Sequence, residues 1–355
     1  MPTLAEIAQG RQVPLSAGIF QAVYTATPTL MALDTRTSTD TKFQTLALTG
    51  LPTAGGFVDY GEGFSNGTAS LALREFDAKL AGGMVEVERI TANRWDAAHP
   101  SAGTSYFDLQ VMARMTTELK HLNKQLYYGT SNDAKGFPGF KELTPYASGN
   151  VLTLTEDPGA TDFVKTVIDA TGTTSSTASS VYAVYEGPLD CQLVVCNDGG
   201  GELFTASDII TQMIAPDSGQ PAKKSLHDTM QIHGFFGLSV SGMNQTPNSV
   251  VPTQYSVRRL ANLTEDSGKG VTDAKLEALV LSFGDNKVPT KIFMNGRSGR
   301  QLTDSRSATS TTLFLGMSGD ARNNTGSIRA ARPTNFEGIP IVYDSAILST
   351  DAIES

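Results

Sequence analysis

The stretch MARMTTELKHLNKQLYYGTSNDAKGFPGF, residues 112–140, joins a long amphipathic segment to a loop full of glycine. Leu109, Met112, Met115, Leu119, Leu122 and Leu126 recur at intervals of three and four, which places them on one narrow stripe of a helix. Arg114, Glu118, His121, Lys124 and Gln125 populate the other sides. Ser105, with Asp108 three residues later, makes a capping-box pattern, and Gly129 supplies the left-handed position that ends many helices. The spacing predicts a helix over residues 106–128, roughly 35 Å long at about 1.5 Å per residue. A helix of that length with so narrow a stripe packs on a single layer, which suits a thin plate better than a sphere.

The glycine loop behind the helix invites a phosphate site, but the chemistry is wrong. GTSNDAKGFPGF has Lys135 ahead of Gly136, with no Ser or Thr behind it and no helix opening after it. GEGFSNG (Gly61, Gly63, Gly67) misses the dinucleotide spacing and lies between strands. GMSGD around Ser318 is not a nucleophile elbow. His99, His121, His227 and His233 do not stand at metal-ligand spacing. The carboxylate pairs Glu156/Asp157 and Glu265/Asp266 fall in turn-like stretches where acids are expected. No catalytic, cofactor-binding or metal-ligating residue is therefore expected, and a hydrolase with a dispersed site, depending on His227 or Asp228, stands as a rival reading.

Upstream of the helix the signal is β. KFQTLALTGLP and ASLALREFDAKL flank the glycine-laden TAGGFVDYGEGFSNG, the pattern of a long hairpin. MVEVERI alternates Val85 and Val87 with Glu86 and Glu88, a two-faced strand. Such a hairpin has too little core to stand alone in water, so it must lie on its own domain or on a neighbouring copy. Downstream, NVLTLTE predicts a short strand and ATDFVKTVIDA a helix. SVYAVYEG, DCQLVVCND and GGGELF predict a β-dense region, followed by a helix at about 272–283 and strands in TKIFMNG and NFEGIPIVYDSAIL. No internal repeat is visible, and the class is α+β, mainly antiparallel.

Charge narrows the partners. The chain of 355 residues carries a net charge of −9, which argues against gripping nucleic acid as its main task. Against that balance, Lys287, Lys291, Arg297, Arg300, Arg306, Arg322, Arg329 and Arg332 face only Asp304 and Asp320 in their segment. That basic stretch suits acidic patches on neighbouring copies, or DNA, and the hairpin offers acid in Asp59, Glu62, Glu75, Asp77, Glu86 and Glu88. No secretion signal or stretch of membrane-spanning length is seen, so no membrane is expected. Cys191 and Cys196, an odd number of residues apart on a strand, point to opposite faces and are expected to stay unpaired, as in a reducing cytosol.

In this order the pieces resemble the major capsid protein of tailed bacteriophages, the Hong Kong 97-like fold, over nearly the whole chain. TGLP followed by DYGEGF is similar to the family's extended loop, and the helix running into YYGTSNDAKGFPGF to its spine helix and the GF-x-GF segment behind it. SVYAVYEG resembles the strand entering the axial domain; HGFFGLSVSG with SVRRLANL, and the closing FEGIPIVYDSAIL, resemble later landmarks. MNQTPNSVVPTQY departs from the pattern as an inserted loop. The resemblance implies an N-terminal arm over 1–38, an extended β-hairpin (E-loop) over 39–100, a peripheral domain with the spine helix over 101–180 and 331–355, and an axial domain over 181–330. It implies a virion shell of homo-hexamers and homo-pentamers around double-stranded DNA, made in the host bacterial cytoplasm, with weak, non-specific DNA contact. The implied partners are a separate scaffolding protein, or none, a portal, and optionally a decoration protein; no maturation cleavage is expected. Asp59, Glu62, Arg74, Glu75, Lys79, Arg297 and Arg300 are the expected inter-subunit contacts, and Lys79 is the candidate where members weld subunits through a Lys–Asn bond. An encapsulin-type nanocompartment shell and a phage tail or adhesion protein are the structural alternatives.

Overall fold

In the computed structural model, which describes residues 27–38, 40, 42–50, 56–59, 61, 63, 66–68, 70–99, 105–147, 149–152, 165–188, 190–196, 204–214, 224–240, 256–283, 288–315 and 331–355, the chain enters at Thr27. A short helix, α1 (Pro28–Ala32), and a strand, β1 (Thr35–Thr37), follow. Thr27, Thr29, Leu30 and Leu33 are buried, so the last part of the segment read as an arm packs into the body.

Strands β2 (Lys42–Gly50) and β3 (Ser70–Asp77) pair antiparallel as a two-stranded sheet of their own, with Lys42 opposite Asp77 and Gly50 opposite Ser70. After Ala78 the chain enters β4 (Lys79–Glu88), where Val85 and Val87 are buried and Glu86 is exposed, as the alternation predicts. Helix α2 (Arg89–Ala98) leads to α3 (Tyr106–Tyr128), whose bounds match the sequence reading. The Ser105 hydroxyl accepts a hydrogen bond from the Asp108 N–H at 3.1 Å. Ser105→Ala is expected to lower stability by about 1 kcal/mol, read as a shift of the urea midpoint at unchanged slope.

The single-layer expectation fails at the C-terminal half of α3. Asn123, Gln125, Tyr127 and Tyr128 are buried together with Leu122 and Leu126, because this half runs into a core fed from several directions. Val85 and Val87 reach it from β4, and Phe137 and Phe140 from the loop and short helix α4 (Phe140–Leu143).

The rest of the chain builds two larger sheets. One contains β1, β4, β8 (Gln192–Val195), β9 (Thr205–Ala206), β10 (Ile210–Ile214) and the long β11 (Ser225–Ser239). Strand β11 is its axis, paired with β4 along one side and with β10, β9 and β8 in turn along the other. The second sheet runs β14 (Asn335–Phe336), β15 (Ile339–Tyr343), β13 (Lys291–Met294), β7 (Ser179–Val184), β12 (Val257–Leu263), β6 (Val167–Asp169) and β5 (Val151–Leu152). The boundary drawn at residue 180 thus falls inside β7. Successive β7 residues face opposite cores: Tyr182 and Val184 join the α3 cluster, while Val181 and Ala183 join a second one. Helices α5 (Asp273–Leu281) and α6 (Gly296–Leu315) supply Leu276, Leu279 and Leu302 to that second core.

Two expectations change here. Val167–Asp169, read as the end of a helix, is a strand, because it finds parallel partners in β5 and β12 and its β-branched Val167 and Ile168 bury in a sheet; residues 153–164 lie outside the described residues. Helix α6 was not foreseen, since GRSGRQLTDSRSATS shows no apolar stripe. It starts from a local signal, the Asn295 side chain accepting the Ser298 N–H at 2.8 Å.

Candidate assembly surfaces and the frame behind them

The glycines of the loop after α3 serve close backbone approach. A Cβ on Gly139 would stand 2.5 Å from the Gly129 nitrogen, 2.7 Å from the Gln125 carbonyl oxygen and 2.9 Å from that of Leu126. On Gly136 it would strike the Gln125 amide, whose Nε2 donates to the Phe137 carbonyl at 2.8 Å. The turn closes over the C-terminal end of the helix and inserts Phe137 and Phe140 into the core. This stretch is frame.

Two buried polar clusters tie distant segments to that frame. In the first, the Asp344 carboxylate accepts from Thr29, from Asn123 Nδ2 at 2.8 Å and from Tyr127, joining α1, α3 and the end of β15. Burial, and then the Asp344 charge, hold the Tyr127 phenol well above its ordinary pKa. In the second, the buried Arg259 guanidinium pairs with Glu354, which also takes Lys141 at 2.9 Å. Tyr128 donates to Asp351 at 3.1 Å, and Asn262 holds the Glu354 backbone through its N–H at 3.0 Å and its carbonyl at 2.9 Å. Burial pushes the nearby Tyr182 phenol up to about 12, against the pull of Arg259. A buried charge of this kind stays only when paired.

The expected contact residues fall into two separate groups. Asp59 is exposed at the hairpin tip, and Glu62 lies outside the described residues. Arg74 and Glu75 stand on β3 opposite Thr45 and Gln44. Lys79 opens β4 at the hairpin base, 3.7 Å from Asp77. Arg297 and Arg300 lie far along the chain, in the first turns of α6. Arg300 is exposed and 3.7 Å from Asp304, whereas Arg297 donates to the carbonyls of Ser349, Thr177 and Leu263 at 2.9, 2.6 and 3.1 Å. Other cations of the basic stretch also have partners within the chain. Lys291 pairs with Glu186 at 2.5 Å, Arg306 with Asp273, and Arg332 lies over the Tyr343 ring. Lys287, Arg322 and Arg329 lie outside the described residues.

The residues of the hydrolase reading are divided. His227 and Asp228 are neighbours on β11, so they face opposite sides. His227 Nε2 meets the Ser225 hydroxyl at 2.7 Å, and its Nδ1 lies 3.0 Å from Glu86 without alignment for a hydrogen bond. Asp228 accepts from Thr211 at 2.6 Å. Asp266 accepts from the Thr174, Thr264 and Thr173 side chains and the Thr173 and Thr174 backbone, the Thr174 hydroxyl foremost, and these bonds hold its carboxyl well below the usual range; it organises a turn. Cys191 and Cys196 are both buried free thiols. Among the described residues, no three His, Cys, Asp or Glu side chains gather as a metal site, and no helix is long and apolar enough to cross a membrane.

No family model and no curated protein matches the chain in sequence. Among solved structures it is similar to a structure of bacteriophage Epsilon15 derived from cryo-EM and modelling, at 16% identity and TM-score 0.51, covering 91% of this chain and 88% of that one. It is also similar to the bacteriophage JBD30 capsid, at 12% identity and TM-score 0.42, covering 85% and 89%. The procapsid of bacteriophage JBD30 matches at 13% identity and TM-score 0.39, covering 97% and 100%. At these identities the likeness is one of fold. The Epsilon15 match establishes it: the chain is an α+β protein with the Hong Kong 97-like capsid fold.

Proposed function

We propose that this chain is a major capsid protein, a non-enzymatic subunit whose hexamers and pentamers close into the icosahedral head shell of a tailed phage around its double-stranded DNA. The observation that carries the reading is a capsid-type fold whose β2–β3 hairpin stands as a separate two-stranded sheet. Two strands alone are marginal in water, and a neighbouring copy supplies the missing surface. In this assignment the hairpin is the extended loop and α3 the spine helix of the peripheral part. A scaffolding protein and a portal act during assembly, and a decoration protein is an optional addition. The subunit is made in the host bacterial cytoplasm and ends in the virion shell. With a net charge of −9, the shell's contacts with DNA are weak and independent of sequence.

Sedimentation velocity of the expressed chain, with negative-stain microscopy of the fastest fraction, tests this. Even sixty copies of a 37.6 kDa subunit weigh roughly 2.3 MDa, far from an enzyme-like oligomer. Closed polyhedra or capsomer rings are expected, and shells filled with nucleic acid identify a genome container. Shells filled with protein cargo would replace the phage reading with an encapsulin-type one. A monomer that persists at high concentration and with added scaffold would overturn the assembly reading.

A further inference from the structure

At the base of the hairpin lies a cleft of about 160 Å³ between the start of β4, the middle of α3 and the glycine loop. Leu80, Leu122, Phe137 and Phe236 give it an apolar wall and floor, while Lys79 and the exposed Lys135 stand at its rim. Its acids are engaged within the chain. Glu118 holds Arg114 at 2.7 Å, and Asp133 lies 3.4 Å from His121 and accepts the Lys135 N–H at 2.9 Å. At the opposite end of the hairpin, Phe57 is fully exposed, with the exposed Asp59 two residues on. A bare phenyl ring beside a carboxylate complements an apolar cleft with a cationic rim.

The tip does not occupy the cleft of its own chain. Strand β3 has 8 residues, so the paired hairpin holds its far end roughly 27 Å from the base. Phe57 lies seven residues beyond Gly50, at that far end, and seven residues span about 24 Å when fully extended. To return, the tip would have to double straight back at full extension, and Phe57 is instead fully exposed. We propose that Phe57 at the tip of one copy inserts into the Lys79–Lys135 cleft at the hairpin base of a second copy, with Asp59 meeting the rim cation Lys135. This deepens the assembly reading and rests on it, and it names the residues that set the contact. Tip and cleft are different surfaces, so the contact is head-to-tail, the kind that closes into rings.

The test uses the full-length Val58→Cys/Ala134→Cys double variant, which keeps Asp59 and Lys135 and places a thiol at the exposed Ala134 beside the rim, oxidised with diamide and run on a denaturing gel. The native thiols are buried and stay silent. A ladder of linked chains is expected, absent from either single variant. Particles that form without a ladder would overturn the cleft contact while leaving the shell reading intact. A linked single chain of faster mobility would overturn it as well, since the tip would then be docked at home. Should the wild-type chain form no particles, the shell reading falls, and the gel is still decisive on the concentrated protein: no linked dimer rejects the contact. Independently, Phe57→Ser is expected to raise the protein concentration needed for particles by about tenfold, the effect of about 1.4 kcal/mol per contact, with Phe57→Leu close to wild type. Lys135→Glu should weaken assembly and Asp59→Lys in the same chain should restore it; failure of that rescue removes the charge pairing from the proposal.

Discussion

Gly139→Val is expected to lose about 3 kcal/mol or more of stability, enough to leave little folded protein. The atoms a new Cβ would strike are the Gly129 nitrogen and the Gln125 and Leu126 carbonyl oxygens, at 2.5, 2.7 and 2.9 Å. All three are backbone, so no rotamer change relieves the clash. To make room, the loop would have to lift from the end of α3, withdrawing Phe137 and Phe140 from the core they share with Tyr127. Gly296→Ala provides the control: a Cβ there meets nothing within 4 Å, and the change should stay within about 0.5 kcal/mol of wild type. Urea unfolding followed by tryptophan fluorescence checks both, since the single Trp95 is buried. A folded Gly139→Val protein with an unshifted midpoint would mean that the loop does not close on the helix as described.

That glycine loop marks where sequence reasoning reached and where it stopped. The ends of α3 were legible because their causes are local: Ser105 caps with Asp108 three residues away, and Gly129 stops the helix at φ 54°. The hairpin was legible because its strands flank a glycine-rich tip, and β4 because its pleat has one wet face. The burial of Asn123 and Tyr127 was not legible, since their partner Asp344 is more than two hundred residues away. Gln125 reads as a surface residue until its amide is seen spanning to Phe137. Arg297 likewise reads as a surface cation, yet three carbonyls from three segments converge on it. Long-range partners turn polar residues inward, and nothing in their own neighbourhood announces it. Val167–Asp169 became a strand for the same reason, since β12 lies some ninety residues downstream.

Arg259→Ala is expected to cost about 3 kcal/mol, because it strips the cation from a buried pair and leaves its partners behind. Arg259 is fully buried on β12, and its guanidinium pairs with Glu354, anchoring the residues after β15 across the seven-stranded sheet. The loss should sit at the lower end for such a pair, since Glu354 keeps Lys141 at 2.9 Å. The pH profile identifies the pair. Burial pushes the Glu354 carboxyl up, but the charge and hydrogen bonds of Arg259 and Lys141 outweigh it and leave the pKa below its ordinary value. A depressed carboxylate contributes stability above its unfolded pKa of about 4.3 and loses it as pH falls through the folded value. Asp351 has the opposite sign: burial, ahead of the pull of Lys141, raises it, so its contribution is present in acid and lost as pH rises through the raised value. Wild type minus Arg259→Ala, measured as urea midpoints from pH 6 down to pH 3, should therefore shrink toward acid, as protonated Glu354 no longer needs its cation. A difference that stays constant over that range would mean that Arg259 stabilises by packing on Tyr182 rather than by charge. Arg259→Met with Glu354→Gln should recover part of the loss, because removing both charges leaves neither one stranded.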